Sequence, residues 1–306
     1  MAPDDEVNTV GDLSADRRDP VSAFLQEVPT TVVARSFGGG AVPLGLDRPL
    51  ELRGGDRISP CGLPSALPLD WHPELLGIVA SACRERVLME EPWFTLPPLA
   101  LDGEHGVGRT HVARQIARHA GLPFLSVDVS GSWGEERSGS GRRHSDVCLP
   151  PSVIVAMAST GCANPVVLLE GADYASEACS ILLASMIDPR SSARWVDEGM
   201  RAVIDLSHVS WLVSTDDADS LHPSLRSALE TVELRTVAGG DTERFDLLAV
   251  SLLSEVMHDL GVPREDLIYS GENLMEILRA RGAYASGMAA LHAEAVDLII
   301  DGSRTG

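Results

Sequence analysis

The chain has 306 residues, enough for one large or two ordinary domains, and 44% of them are hydrophobic, too many for a disordered chain. A formal net charge of −21 argues against nucleic acid and anionic membrane as partners. All 24 basic residues are arginine, which excludes Schiff-base lysine chemistry, a Ser–Lys dyad and a phosphate-binding lysine.

Residues 1–70 read as an irregular or partly disordered N-terminal arm. The first 20 or so are polar and charged. The rest are short apolar pieces cut by Gly38-Gly39-Gly40, Gly54-Gly55 and several prolines, an irregular arm or a few short strands. From Trp71 the pattern changes. Leu75, Leu76, Val79, Cys83 and Val87 recur at helical spacing, predicting a helix over Pro73–Met89 with proline in its first turn. A short apolar run, Leu99 to Leu101, predicts a buried strand. A helix over Thr110–Ala120, stopped by Gly121, follows. Further strands are expected at Phe124–Val129, Val166–Leu169, Val209–Ser214 and Thr231–Leu234, with helices at Val153–Ser159 and Glu177–Ile187 between them. Strands alternating with helices imply a doubly wound parallel sheet. After Gly239-Gly240 the strands cease, and helices are expected over Glu243–Leu260, Glu272–Arg281 and Ser286–Ile300.

Between the first buried strand and its helix lies Gly103-Glu-His-Gly-Val-Gly-Arg-Thr110, which fits GxxxxGK[ST] except at the lysine. In such a loop, backbone amides converge on an anion and the helix N-terminus adds its dipole. Gly103, Gly106, Val107, Gly108, Arg109, Thr110 and His111 are therefore the candidate nucleotide-binding residues. Thr110 carries the hydroxyl that holds Mg²⁺ in these loops. Arg109 keeps the charge of lysine on a larger, planar group that must find another pose. The bland reading of the segment is an ordinary strand–turn–helix with glycines for the turn.

A second motif strengthens the first. Asn164-Pro165-Val-Val-Leu-Leu-Glu170, followed by Asp173, resembles the NPVxLLDEID pattern of the Lon-like branch of AAA+ proteins. Pro97-Pro-Leu-Ala-Leu, Gly121-Leu-Pro-Phe, Asp188-Pro189, Leu206-Ser-His and Pro223-Ser-Leu-Arg-Ser227 agree in order and spacing, so the resemblance covers about residues 71–300. It implies a P-loop AAA+ α/β domain over 71–238 with a five-stranded parallel sheet, then a small helical lid over 239–306. It also implies ATP or ADP with Mg²⁺ as ligands, and AAA+ homologues in a ring as protein partners. The resemblance is to the AAA+ module only; a peptidase domain is not expected within these residues.

Carried over by position, the resemblance implies loss of hydrolytic parts. The metal-orienting acid is Glu170, leaving Thr110 and Glu170 as the Mg²⁺ pair. The water-polarising glutamate is Gly171. The sensor asparagine is Asp216, a carboxylate facing phosphate. The arginine finger is Ala228, with Arg226 two residues earlier, and the second-sensor arginine is Ala289. The aromatic pore-loop residue falls at Ser145, beside Asp146. An arginine finger alone is worth about 10³–10⁵ in rate. The expectation is a nucleotide-binding, hydrolysis-poor regulatory or structural subunit, with Glu170 and Asp173 as the remaining catalytic candidates. Alternatives are an atypical but active ATPase using Asp173 or Asp216, and a nucleotide-free interaction scaffold.

Other features read as bland. Arg17–Arg18, Arg142–Arg143 and Arg279 with Arg281 are solvated pairs. His105, His111, His119 and His144 lack metal-ligand spacing. The five cysteines lack CxxC spacing and read as reduced thiols. The acidic N-terminus lacks a secretory signal, and no run is long enough to span a membrane, so a cytoplasmic location is expected.

Overall fold

The computed structural model describes residues 28–37, 42–59, 62–130, 149–197, 200–235, 242–263, 276–278 and 287–303. The predictions for residues 1–20, for Arg142–Arg143, His144, Ser145 and Asp146, for Arg279 and Arg281, and for the Gly239-Gly240 junction lie outside the described residues. So does all but 276–278 of the helix expected over 272–281.

Ten strands and eight helices are named here, each in chain order. They are β1 (Thr30–Val32), β2 (Ala34–Ser36), β3 (Pro49–Glu51), α1 (Leu63–Ala66), α2 (Pro73–Leu88), β4 (Leu99–Asp102) and α3 (Arg109–Ala120). Then come β5 (Phe124–Asp128), α4 (Leu149–Thr160), β6 (Val166–Glu170), α5 (Glu177–Ile187), β7 (Trp195–Asp197) and β8 (Ala202–Ile204). Last are β9 (Ser210–Thr215), α6 (Pro223–Arg226), β10 (Glu230–Glu233), α7 (Thr242–Asp259) and α8 (Gly287–Ser303).

The central sheet is five-stranded and parallel, in the order β10-β4-β9-β6-β5. These are the five expected segments, with β9 and β10 each displaced by one residue from the sequence boundaries. Both faces of the sheet are covered, which is why its strands read as near-continuous apolar runs. In β6, Val166 and Leu168 join one core cluster with Leu99, Leu101, Leu212 and the lid residues Leu252 and Val256. Val167 and Leu169 point the other way, to a second cluster with Met157, Leu183, Trp211 and Val213.

Two features extend the sequence reading. β7 and β8 form an antiparallel hairpin, and β2 from the N-terminal segment adds to it as a third strand. The described residues 28–37 and 42–59 are therefore packed on the α/β domain: Val33, Leu46 and Leu50 belong to the second cluster. Asn164, wholly buried, fastens that segment. Its amide nitrogen donates to the carbonyls of Arg53 (2.9 Å) and Phe94 (2.8 Å), and its oxygen accepts from the Arg53 amide at 2.9 Å. A three-residue strand has too short a pattern to stand out from loop.

Among the described residues, no helix is long and apolar enough to cross a membrane.

Candidate functional site

The C-terminal edge of a parallel sheet is where an α/β fold places its ligand crevice. Here that edge opens into a cleft of about 480 Å³ between the sheet, the loop before α3 and the lid helices α7 and α8. The loop is built as its sequence requires. β4 enters, and Gly108 turns with φ +102°, a left-handed conformation open to glycine, to start α3 at Arg109. Thr110 is in the first turn of α3, so its hydroxyl and the first helical amides lie beside the cleft. Gly103 and Val107 shape the loop, while Gly106, Gly108, Arg109, Thr110 and His111 line the cleft.

Thr110 Oγ1 donates to Glu170 Oε1 at 2.9 Å. The two oxygen donors expected for Mg²⁺ are thus side by side, and hard oxygen ligands suit that ion. The loop amides and this pair fit a Mg-nucleotide.

The other candidates are held differently from expectation. Arg109 does not extend freely into the cleft. Its guanidinium donates to the Gly103 carbonyl (2.9 Å), to the Thr215 carbonyl, and to Asp216 Oδ1 at 2.6 Å, and its side chain is only 10% exposed. Asp216 is consequently ion-paired with Arg109 rather than presented bare to a phosphate. Asp173 is also engaged: its carboxylate accepts from the Thr215 hydroxyl, from Ser220 Oγ (3.0 Å) and from the Asp216 amide (3.1 Å). It ties the turn after β6 to the end of β9.

Gly171 has φ +74°, and a Cβ built on it would lie 2.5 Å from Ser130 Cβ and 3.1 Å from Ser130 N. The backbone there is left-handed and closely packed, so a glutamate could not stand at residue 171 without displacing Ser130. Ala228 packs against the second core cluster. Arg226 pairs with Asp219 at 2.9 Å. Ala289 falls in the first turn of α8. The preceding residue, Met288, donates its amide to the Gly106 carbonyl at 2.9 Å, so the lid touches the loop directly.

His111 faces the lid. Its ring contacts Glu255 through Nδ1 and Ser251 Oγ through Nε2 (3.0 Å). Glu255, 1% exposed, also accepts from Arg114 (2.8 Å) and Gln115 (3.2 Å). Burial alone would raise its carboxyl, but the hydrogen bonds and charges of His111 and Arg114 bring it down to about 2. His111 is therefore a link between α3 and α7 as well as a lining residue.

Sequence reasoning missed Asp128, Ser130, Glu255 and Met288. Asp128 had a signal: it ends a strand at the ligand edge of a parallel sheet. Its Oδ1 accepts the Ser130 amide at 2.8 Å, and hydrogen bonding from Ser130 lowers its carboxyl below the ordinary value. Glu255 and Met288 had none, because their partners are more than a hundred residues away in the chain.

Residues 99–236 match the family model described as ATPase family associated with various cellular activities (AAA). The chain is 28% identical over 189 residues to the Lon protease of Brevibacillus choshinensis, covering 60% of this chain and 24% of that protein. It is 31% identical over 143 residues to the Lon protease of Syntrophus aciditrophicus, covering 45% and 18% respectively. The chain thus spans about a quarter of the length of the curated relatives it matches. A solved structure of the Thermotoga maritima RuvB Holliday junction branch migration motor aligns with 76% of this chain and 70% of its own, at 15% identity and a TM-score of 0.39.

Proposed function

On the premise that residues 99–236 form an AAA+ module of the Lon-like kind, we propose that the protein binds Mg-nucleotide and hydrolyses it poorly or not at all. It would then serve as a regulatory or structural subunit, in a ring with AAA+ homologues. The observation that carries this reading is Gly171. The position that should polarise the attacking water has no side chain, and its left-handed backbone packs on Ser130. Binding rests on different parts: the loop amides, the α3 dipole, and Thr110 beside Glu170. Thr110 and Glu170 would hold Mg²⁺, which supplies charge neutralisation for the phosphates. Arg109, clamped by two carbonyls and Asp216, contributes little positive charge to the reacting end.

The active-ATPase reading would need a substitute base. All three nearby aspartates are engaged, and Asp128, which accepts from Ser130, is the best placed: its Oδ1 lies 3.2 Å from the position of a Gly171 Cβ. Calorimetry with ATP and ADP in Mg²⁺ tests the binding half of the proposal. Heat of binding that disappears in Thr110→Ala supports it; no heat and no thermal shift with either nucleotide would support the scaffold reading instead.

A further inference from the structure

The strands of the central sheet share one chemical peculiarity at their ligand edge. β4 ends at Asp102, β5 at Asp128, β6 at Glu170 and β10 at Glu233, and β9 is followed directly by Asp216. Pairing places Glu233 opposite Asp102, and Asp128 opposite Glu170. The edge is therefore a continuous carboxylate rim, and its field is felt within it. Asp102 is raised above the ordinary carboxylate range by burial and by the charges of Asp217, Glu233 and Asp173, against a hydrogen bond from the Ala218 amide.

Among the described residues, the arginine charge at the cleft is already spent. The two arginines that line it each hold a carboxylate: Arg109 holds Asp216 and Arg114 holds Glu255. In a phosphate loop the amides cradle the α- and β-phosphates, while the residue at position 109 addresses the β/γ end. Here Gly106, Gly108 and the first residues of α3 still line the cleft, but the side chain that should meet the last phosphate is turned onto Gly103, Thr215 and Asp216. A third phosphate would bring added negative charge towards Asp128, Glu170 and Asp216, and among the described residues no unpaired arginine lines the cleft to receive it.

We propose that this site is selective for nucleoside diphosphates over triphosphates, and that Asp216 is the residue that sets the preference by holding Arg109 away from the last phosphate. The proposal rests on the nucleotide-binding reading above and adds its ligand class. Magnesium offsets the rim charge, so the selectivity is greatest without it.

The test is titration calorimetry of the full chain with ADP and with ATP, each in EDTA and in Mg²⁺, on the wild type, Asp216→Asn and Asp128→Asn. The wild type in EDTA should bind ADP about ten-fold more tightly than ATP, with a smaller ratio in Mg²⁺. Asp216→Asn releases Arg109 and removes a rim charge, so the ratio should fall towards unity; Asp128→Asn should lower it by a lesser factor. Asp128→Asn also serves as the second probe if Asp216→Asn folds poorly. Equal affinities in the wild type, or a ratio unmoved in both variants, would overturn the selectivity while leaving nucleotide binding in place. Absence of heat with both nucleotides would overturn the binding reading and this one together.

Discussion

Arg109 and Asp216 stand 107 residues apart in the chain and 2.6 Å apart in space. Arg109 stands where the phosphate-loop pattern has lysine, and Asp216 is the carboxylate that receives it. The longer guanidinium reaches the end of β9, to the Thr215 carbonyl and Asp216. Lysine has one compact ammonium and could not hold both carbonyls and the carboxylate in a planar fork.

Replacing the arginine should loosen that arrangement. Arg109→Lys is expected to raise Mg-ATP affinity by roughly five- to ten-fold, because a lysine at this position reaches the β/γ end of a nucleotide. Turnover should not follow. Fluorescent-nucleotide competition checks the first statement, and unchanged or weaker ATP affinity would contradict it.

Gly171→Glu should fail as a repair. Its left-handed φ and the 2.5 Å approach to Ser130 Cβ demand a local rearrangement. A cost of about 2–4 kcal/mol is expected, from backbone strain and overpacking together. Thermal and chemical denaturation would read this; a variant as stable as the wild type would show that the turn after β6 gives way easily. Restoring several hydrolytic positions at once meets the same obstacle, since the glutamate must enter this packed turn in every combination.

The lid is fastened to α3 through a titrating group. Glu255 is held at about 2, below its ordinary 4.5, so its folded value is depressed. Its contribution to stability is present in full above about pH 4.5 and is lost as the pH falls towards 2. Glu255→Gln should lower stability at neutral pH by about 3 kcal/mol, as expected for breaking a buried charged pair. It should also flatten the acid limb of the stability curve across that window. An acid limb as steep in Glu255→Gln as in the wild type would assign the acid sensitivity to other carboxylates.

Asn164→Ala removes four hydrogen bonds, one of them from the Cys162 thiol, at a buried position that joins the N-terminal segment to the start of β6. A loss of about 2–4 kcal/mol is expected, measured by urea denaturation. Faster proteolysis near residue 53 should accompany it. A loss below about 1 kcal/mol would mean that water replaces the amide.

The sheet was legible because two covered faces leave apolar runs such as Val166–Leu169, bounded by glycine, proline or acid. The loop was legible because strand, glycines, Thr110 and helix are consecutive. What stayed hidden depends on distance along the chain. Nothing near Arg109 announces Asp216, and nothing near His111 announces Glu255, 144 residues on. Gly171 reads in sequence as a missing glutamate; only the backbone reveals a turn that glycine suits and Ser130 closes. The β7–β8 hairpin escaped because three-residue strands carry too little alternation to register.

Hydrolysis is the direct test. Phosphate release from purified protein, followed over hours in Mg-ATP with Thr110→Ala as the contamination control, should be at background and equal in both proteins. Release from the wild type that is clearly above background and disappears in Thr110→Ala would contradict the account, and its loss in Asp128→Asn would then identify the base.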